Sequence, residues 1–256
     1  MKIFVVDKWK IIRYACALIA IGFVFTLAGK MGGNIIATVA DASRKLPIYC
    51  IDTDSNDISL TFDCAWGAED MPQILDILKA NNVKATFFVL GEWAEKFPDI
   101  IKRMADEGHD VANHSDTHPH IASLSYEDIK KEIISANSKI ENLTGKKNDL
   151  FRAPYGEYND NVISASEELG LYTIQWDVDS LDWKNLGKEN ILNRVLTKTK
   201  NGSIILMHNG TKDTTNVLDE MIKELKNKGF SFKPISEFIY KESYTIDHTG
   251  KQAKKL

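Results

Sequence analysis

Asp63 stands beside Cys64 at the end of the run Ile58-Ser59-Leu60-Thr61-Phe62, and two histidines, His114 and His118, follow downstream in H-S-D-T-H. A carboxylate leaving the buried end of a strand serves either as a general base or as an arginine-paired structural group. A His-x-x-x-His pair supplies two imidazoles to a metal. A third, anionic ligand completes a catalytic site, and a fourth position stays open for water. Cys64 is the candidate third ligand, and a pair of surface histidines on a polar loop is the plainer alternative. Pro119 disfavours the α region at His118, so the motif is expected to be a turn braced by the side chains of Ser115 and Thr117.

Three further motifs carry chemistry. Arg152, in Arg152-Ala153-Pro154-Tyr155-Gly156, could pair with Asp63, and the turn after it could offer backbone N–H groups to an oxyanion; alone, the motif could be only a structural turn. Asp179-Ser180-Leu181-Asp182-Trp183 sets two carboxylates beside an aromatic ring; a solvated acidic loop is the plainer reading for Asp179. His208 follows the apolar run Ile204-Ile205-Leu206-Met207, where a hydrogen-bonded capping histidine is the plainer reading. Asp182 near His208 would raise the imidazole pKa and make it a general acid. Trp66, Trp93, Trp176 and Trp183 are candidates for stacking on a sugar, with core packing the alternative for Trp93 and Trp176.

Positioning these groups requires strands whose C-terminal ends share one rim. From residue 47 short apolar runs alternate with longer amphipathic ones. Strands are expected at 48–52, 58–62, 85–90, 110–113, 150–152, 172–176 and 204–207, and the first two should form a hairpin across the turn-rich 53–57. Helices are expected at 71–81, with Pro72 in the first turn, and at 98–107 ending at Gly108. Others follow at 125–143, 162–169, 189–200 and 214–228. Such alternation argues for a parallel sheet or barrel with helices outside, whose reactive groups lie on the loops after the strands. Asp63, His114, Arg152, Asp179, Asp182 and His208 all fall at or just after strand ends. The tail at 241–256 is polar and expected to fray.

The chain has 256 residues, 43% hydrophobic and 27% charged, with a net charge of -4 and no basic stripe. That composition builds one globular domain and argues against nucleic acid as a partner. Cys16, Cys50 and Cys64 lack C-x-x-C spacing, which argues against a disulfide framework. Residues 14–29 are uncharged and follow Lys8, Lys10 and Arg13. Sixteen helical residues cover about 24 Å, and Ile11 and Ile12 extend them towards the roughly 30 Å of a bilayer core. The flanking cations predict an uncleaved, single-pass anchor with the C-terminal bulk exported. A cleaved signal is the rival, but its nearest site, Ala40-Asp41-Ala42, is far from the apolar run. The expected organisation is cytoplasmic tip and transmembrane helix at 1–33, linker at 34–46, catalytic domain at 47–240, and tail at 241–256.

In this order T-F-D-C, H-S-D-T-H, R-A-P-Y-G, D-S-L-D-W and L-M-H resemble the motifs of the polysaccharide deacetylases of the NodB-homology type, carbohydrate esterase family 4. The stretch T-F-D-C-A-W-G, with the anchor, is similar to the sporulation-associated branch. The resemblance implies an α/β fold, a distorted (β/α) barrel with fewer than eight repeats, and hydrolysis of an N-acetyl group on a sugar. It implies Asp63 as catalytic base, His114 and His118 as ligands of a divalent metal, and Arg152 as the group orienting Asp63. The Tyr155 N–H would meet the oxyanion, Asp182 would tune His208, and His208 would protonate the leaving amine. Trp183 and Leu206 would line the pocket for the acetyl methyl.

Cys64 departs from the family pattern, which has a second aspartate there as metal ligand. Three outcomes follow: a thiolate ligand favouring zinc, a small buried hydrophobe with Glu69 or Asp70 assisting the histidines, or a barrel that binds glycan without metal. The leading expectation is a membrane-anchored, extracytoplasmic deacetylase of peptidoglycan N-acetylglucosamine or N-acetylmuramic acid in spore envelope or cortex formation. The alternative is a catalytically impaired glycan-binding barrel.

Overall fold

The computed structural model describes residues 44–255, so the expected anchor lies outside the described residues. Among those described, no helix is long and apolar enough to cross a membrane. In chain order the first elements are β1 (Cys50–Ile51), β2 (Asp57–Cys64), α1 (Met71–Ala80), β3 (Thr86–Val89), α2 (Gly91–Lys96), α3 (Pro98–Asp106) and β4 (Asp110–Asn113). There follow α4 (Tyr126–Thr144), β5 (Leu150–Phe151), α5 (Asp160–Glu168), β6 (Tyr172–Thr173), β7 (Val178–Asp179) and α6 (Lys188–Lys198). The last are β8 (Ile204–His208), α7 (Thr214–Asn227), β9 (Ser231–Phe232), α8 (Ile235–Phe238), β10 (Tyr244–Ile246) and β11 (Lys251–Lys254).

One sheet dominates, with strands in the order β6-β5-β4-β3-β2-β8-β7 and β9 added against β2. Every pairing in it is parallel. The path of named strands ends at β6 and β7, a half-barrel in an α/β architecture, and the segment at 48–51 adds single bridges, Ile48 to Ile174 beyond β6 and Cys50 to Ser203 before β8.

The alternation of β2 explains how this sheet makes a site. Successive side chains of a strand point to opposite faces. Ile58, Leu60, Phe62 and Cys64 therefore pack together, in a cluster that includes Met71, Ile74, Leu75 and Leu78 of α1. Ser59, Thr61 and Asp63 take the other face, also buried. The same split recurs in β3, where Phe87 and Val89 join the helix-side cluster and Phe88 joins a second cluster with Ala112, Leu150, Ile174 and Ile204. This second cluster forms an apolar floor inside the curve of the sheet. Each fully buried isoleucine or phenylalanine contributes about 1.5–3 kcal/mol relative to exposure. Polar groups at the strand ends face the cavity above that floor, with Asp63 in register with Phe88 on one side and His208 on the other.

Helix ends follow their sequence signals closely. At α4, Ser125 accepts from the Asp128 N–H at 3.2 Å, and Gly145 closes the helix at φ 66°. Two expectations are corrected. β1 does not form a hairpin with β2, because β2 is already flanked by β3, β8 and β9; β1 pairs instead with β11. Nor does 241–256 fray, since β10 and β11 pair antiparallel and complete a three-stranded sheet with β1. Gln252 is fully buried, accepting from the Tyr240 N–H at 2.9 Å and donating to its carbonyl at 2.7 Å.

Candidate active site

Asp63 emerges from β2 with little exposure and meets Arg152, which follows β5 and is fully buried. Arg152 Nη1 donates to Asp63 Oδ1 at 2.8 Å and to Thr61 Oγ1 at 2.9 Å. Its Nη2 donates to the Gln175 carbonyl at 3.0 Å, and the guanidinium lies 4.0 Å from the centre of the Phe88 ring. The cation is thus held by geometry on every side. Burial alone would raise the Asp63 carboxyl, but the charge of Arg152, with His114 and His208 behind it, holds it below the usual carboxylate value.

His114 extends from β4 and is buried. Its Nδ1 lies 2.8 Å from the Arg152 carbonyl, which can only accept, so Nδ1 carries the proton and Nε2 keeps a lone pair. That Nε2 is 3.6 Å from Asp63 Oδ2. The H-S-D-T-H segment is a turn, as Pro119 implied, with φ 72° at Ser115 and 64° at His118. Ser115 Oγ accepts from the His118 N–H at 3.1 Å. Glu132 of α4 clamps the turn, one carboxylate oxygen accepting from the N–H groups of Asp116 and Thr117 at 3.0 Å and the other from the Thr117 hydroxyl at 2.9 Å. His118 lies 5.1 Å from His114 and 4.4 Å from Tyr155, ring centre to ring centre. Burial lowers both imidazoles, that of His118 to about 4, so both are neutral at pH 7.

Across the cavity Asp182 is fully buried. His208 Nδ1–H donates to its Oδ1 at 2.8 Å and the His208 backbone N–H to its Oδ2 at 2.7 Å. Burial opposes charge on His208, yet the hydrogen bond and charge of Asp182, with Asp63 and Asp179 adding to them, raise its pKa above the ordinary value. Nε2 remains for the cavity, which measures about 490 Å³. Asp63, His114, His118, Tyr155, Trp183, Leu206 and His208 line it, with Trp66, Trp176 and Asp179. Arg152 and Asp182 lie behind Asp63 and His208 as their partners. Tyr155 sits at φ 58° in the turn after Arg152. Trp66 and Trp183 are more than half exposed at this cavity, whereas Trp93 is buried and packed in the core.

Cys64 is not brought to the histidines. Strand alternation turns it away from Asp63 into the helix-side cluster, where it has no exposed surface and burial pushes its thiol well above the usual value. Glu69 and Asp70 do not join either: Glu69 accepts from the Ala68 N–H at 3.0 Å and Asp70 from the Gly210 N–H at 2.7 Å. Among the described residues no three His, Cys, Asp or Glu groups assemble around one point. The two imidazoles nonetheless suit a cation. Both are neutral, Nε2 of His114 has a free lone pair, and Nδ1 of His118 is buried without a partner. A divalent ion held there would have two protein nitrogens and otherwise water, not the three-donor set expected with Cys64.

Sequence reasoning missed Thr61, Glu132 and Thr214, the last a fully buried hydroxyl that donates to Asp182 Oδ2 at 2.7 Å. Thr61 alone had a local signal, as a polar residue two positions before Asp63 in a buried strand.

A family model described as Polysaccharide deacetylase matches residues 51–174. A peptidoglycan-N-acetylglucosamine deacetylase of Bacillus cereus is 41% identical over 180 residues, covering 69% of this chain and 66% of that protein. A peptidoglycan-N-acetylmuramic acid deacetylase of Bacillus subtilis is 34% identical over 202 residues, covering 77% of each. The chain therefore spans about two thirds to three quarters of the length of these relatives. Among solved structures, a pseudoenzyme of carbohydrate esterase family 4 from Bacillus anthracis superimposes with a TM-score of 0.73 at 38% identity, covering 75% of this chain and 68% of that one.

Proposed function

The chain belongs to the polysaccharide deacetylase family, a family of hydrolases, and we propose that it removes N-acetyl groups from peptidoglycan, at N-acetylglucosamine or N-acetylmuramic acid. One observation carries the reading: a carboxylate and an imidazole, each fastened by a buried partner, line one cavity with opposite proton demands. Asp63, held ionised by Arg152, takes a proton from water as it attacks the acetamide carbon. The oxyanion meets the Tyr155 N–H. Nε2–H of His208 then protonates the amine nitrogen as the C–N bond breaks, which is needed because an amide anion is a poor leaving group. Trp183 and Leu206 enclose the acetyl methyl. His114 and His118 would hold a divalent ion, zinc by the softness of two imidazoles, and such an ion supplies polarisation of the carbonyl and acidification of water.

The same proposal includes a setting. The uncharged run at 14–29 behind three cations supports a single-pass anchor with the domain outside the membrane. T-F-D-C-A-W-G supports a role in spore envelope or cortex formation. A catalytically impaired glycan binder is the second reading, favoured by the withdrawal of Cys64 from the histidines and by the likeness to a pseudoenzyme. Acetate release by the purified protein from peptidoglycan and from N-acetylglucosamine oligomers separates the two. Release that disappears in Asp63→Asn supports the hydrolase, and retention of glycan with no acetate from either substrate supports the binder.

A further inference from the structure

We propose that Thr214, with Thr211 behind it, is a positioning residue for the catalytic acid, a hydroxyl relay that sets both the direction and the proton affinity of His208 through Asp182. The inference rests on the reading of His208 as the acid. Asp182 accepts four hydrogen bonds. Oδ1 takes the His208 Nδ1–H at 2.8 Å and the Trp183 N–H at 2.9 Å; Oδ2 takes the His208 N–H at 2.7 Å and the Thr214 hydroxyl at 2.7 Å. Among the described residues no lysine or arginine forms an ion pair with this carboxylate.

Proton counting gives the relay a direction. A carboxylate only accepts, so the single hydroxyl proton of Thr214 goes to Asp182. Thr211 Oγ1 lies 2.5 Å from Thr214 Oγ1, and the Thr211 hydroxyl must therefore donate to Thr214. Thr211 Oγ1 accepts in turn from the Thr214 N–H at 3.2 Å. The chain of donors runs from the segment after β8, through the first residue of α7, to the carboxylate on the segment after β7. Each donor polarises the next, which strengthens the last bond and withdraws charge from Asp182. A carboxylate relieved of charge in this way holds the His208 proton less tightly.

The titratable groups facing His208 are Asp179 at the end of β7, Asp182 after it, Asp63 on β2 and His114 after β4. None of these is altered when a threonine is replaced, so a change in His208 reports on the relay. Thr214→Val keeps the shape and removes the donor. The expected result is a His208 pKa raised by about half a unit to one unit, read by NMR titration of the imidazole. The kcat for acetate release should fall several-fold, its alkaline limb following the pKa, with KM unchanged. Thr214→Ser should restore the wild-type pKa, and Thr211→Val should give a smaller shift in the same direction.

An unmoved His208 pKa in Thr214→Val, or serine behaving as valine does, would overturn the proposal and leave Thr214 as packing. Should Thr214→Val fail to fold, Thr211→Val carries the test, because that side chain is only half-buried and an unmoved pKa there sinks the relay. The titration needs no turnover. A wild-type protein that releases no acetate would therefore remove the function proposed for His208 without deciding the relay.

Discussion

Two aspartate–histidine pairs flank one cavity; each carboxylate favours the charged imidazole, yet burial outweighs Asp63 at His114 while Asp182 outweighs burial at His208. His208 lies 2.8 Å from Asp182 and its pKa is raised; His114 lies 3.6 Å from Asp63 and its pKa is lowered. Burial disfavours the charged form of both rings. The difference lies in what else each carboxylate holds. Asp63 is already matched by the buried guanidinium of Arg152 at 2.8 Å, and His114 spends its Nδ1–H on a carbonyl. Asp182 otherwise receives only backbone and hydroxyl donors, so its charge acts on His208. At His114 burial and the charge of Arg152 together outweigh Asp63, whereas no cation stands between Asp182 and His208.

Removing either reactive group should give the largest effect. Asp63→Asn and His208→Asn are each expected to lower kcat by about 10²–10⁴ with the fold intact, the usual worth of a positioned base or acid. Steady-state acetate release, with circular dichroism as the fold control, checks this; equal wild-type activity in either variant would remove that residue from the chemistry. Breaking the contrast at its source comes next. Arg152→Met leaves Asp63 buried without its cation and should cost about 3–5 kcal/mol in urea unfolding. It should also raise the His114 pKa, making the base pair resemble the acid pair.

The third test works on the other pair through pH. In the proposed role of acid His208 must be protonated, so kcat should fall as pH rises through its raised pKa, giving an alkaline limb above the ordinary value of about 6.5. Asp182→Asn should move that limb down, with activity at a given alkaline pH dropping about tenfold per unit moved. Stability carries the same sign. The contribution of His208 is complete below about 6.5 and is lost as pH rises through the folded-state value, a slope that Asp182→Asn should abolish. His118 behaves oppositely, its contribution present above about 6.5 and lost as pH falls towards 4.

Much of this contrast is readable in the chain because parallel strands deliver their last residues to one rim. Asp63, His114 and His208 each lie at or just after the C-terminal end of a parallel strand, and Arg152 and Asp182 follow neighbouring strands. What escapes is contact at long separation without a local pattern. Glu132 clamps the histidine turn from 15 and 16 residues away, and Thr214 reaches Asp182 across 32. The pairing of β1 with β11 joins segments about 200 residues apart through two residues of each, too few to carry a periodicity. Cys64 is a different failure. Neighbours in a strand face opposite ways, so the alternation that made Asp63 a candidate already argued against the residue beside it.

That point yields the smallest expected effect and the sharpest check on the base side. Cys64→Ala should cost about 1 kcal/mol, the price of a small void in a packed cluster, and leave metal affinity and acetate release unchanged. A thiolate ligand would behave otherwise. Its loss would weaken zinc binding by more than tenfold, and the cobalt-substituted wild-type protein would show a thiolate-to-cobalt charge-transfer band that the alanine variant lacks. Absence of that band in the wild type fits a protonated thiol buried with Ile58, Leu60 and Phe62. Its presence would mean that the end of β2 rotates when metal binds, bringing Cys64 to the face that Asp63 now occupies.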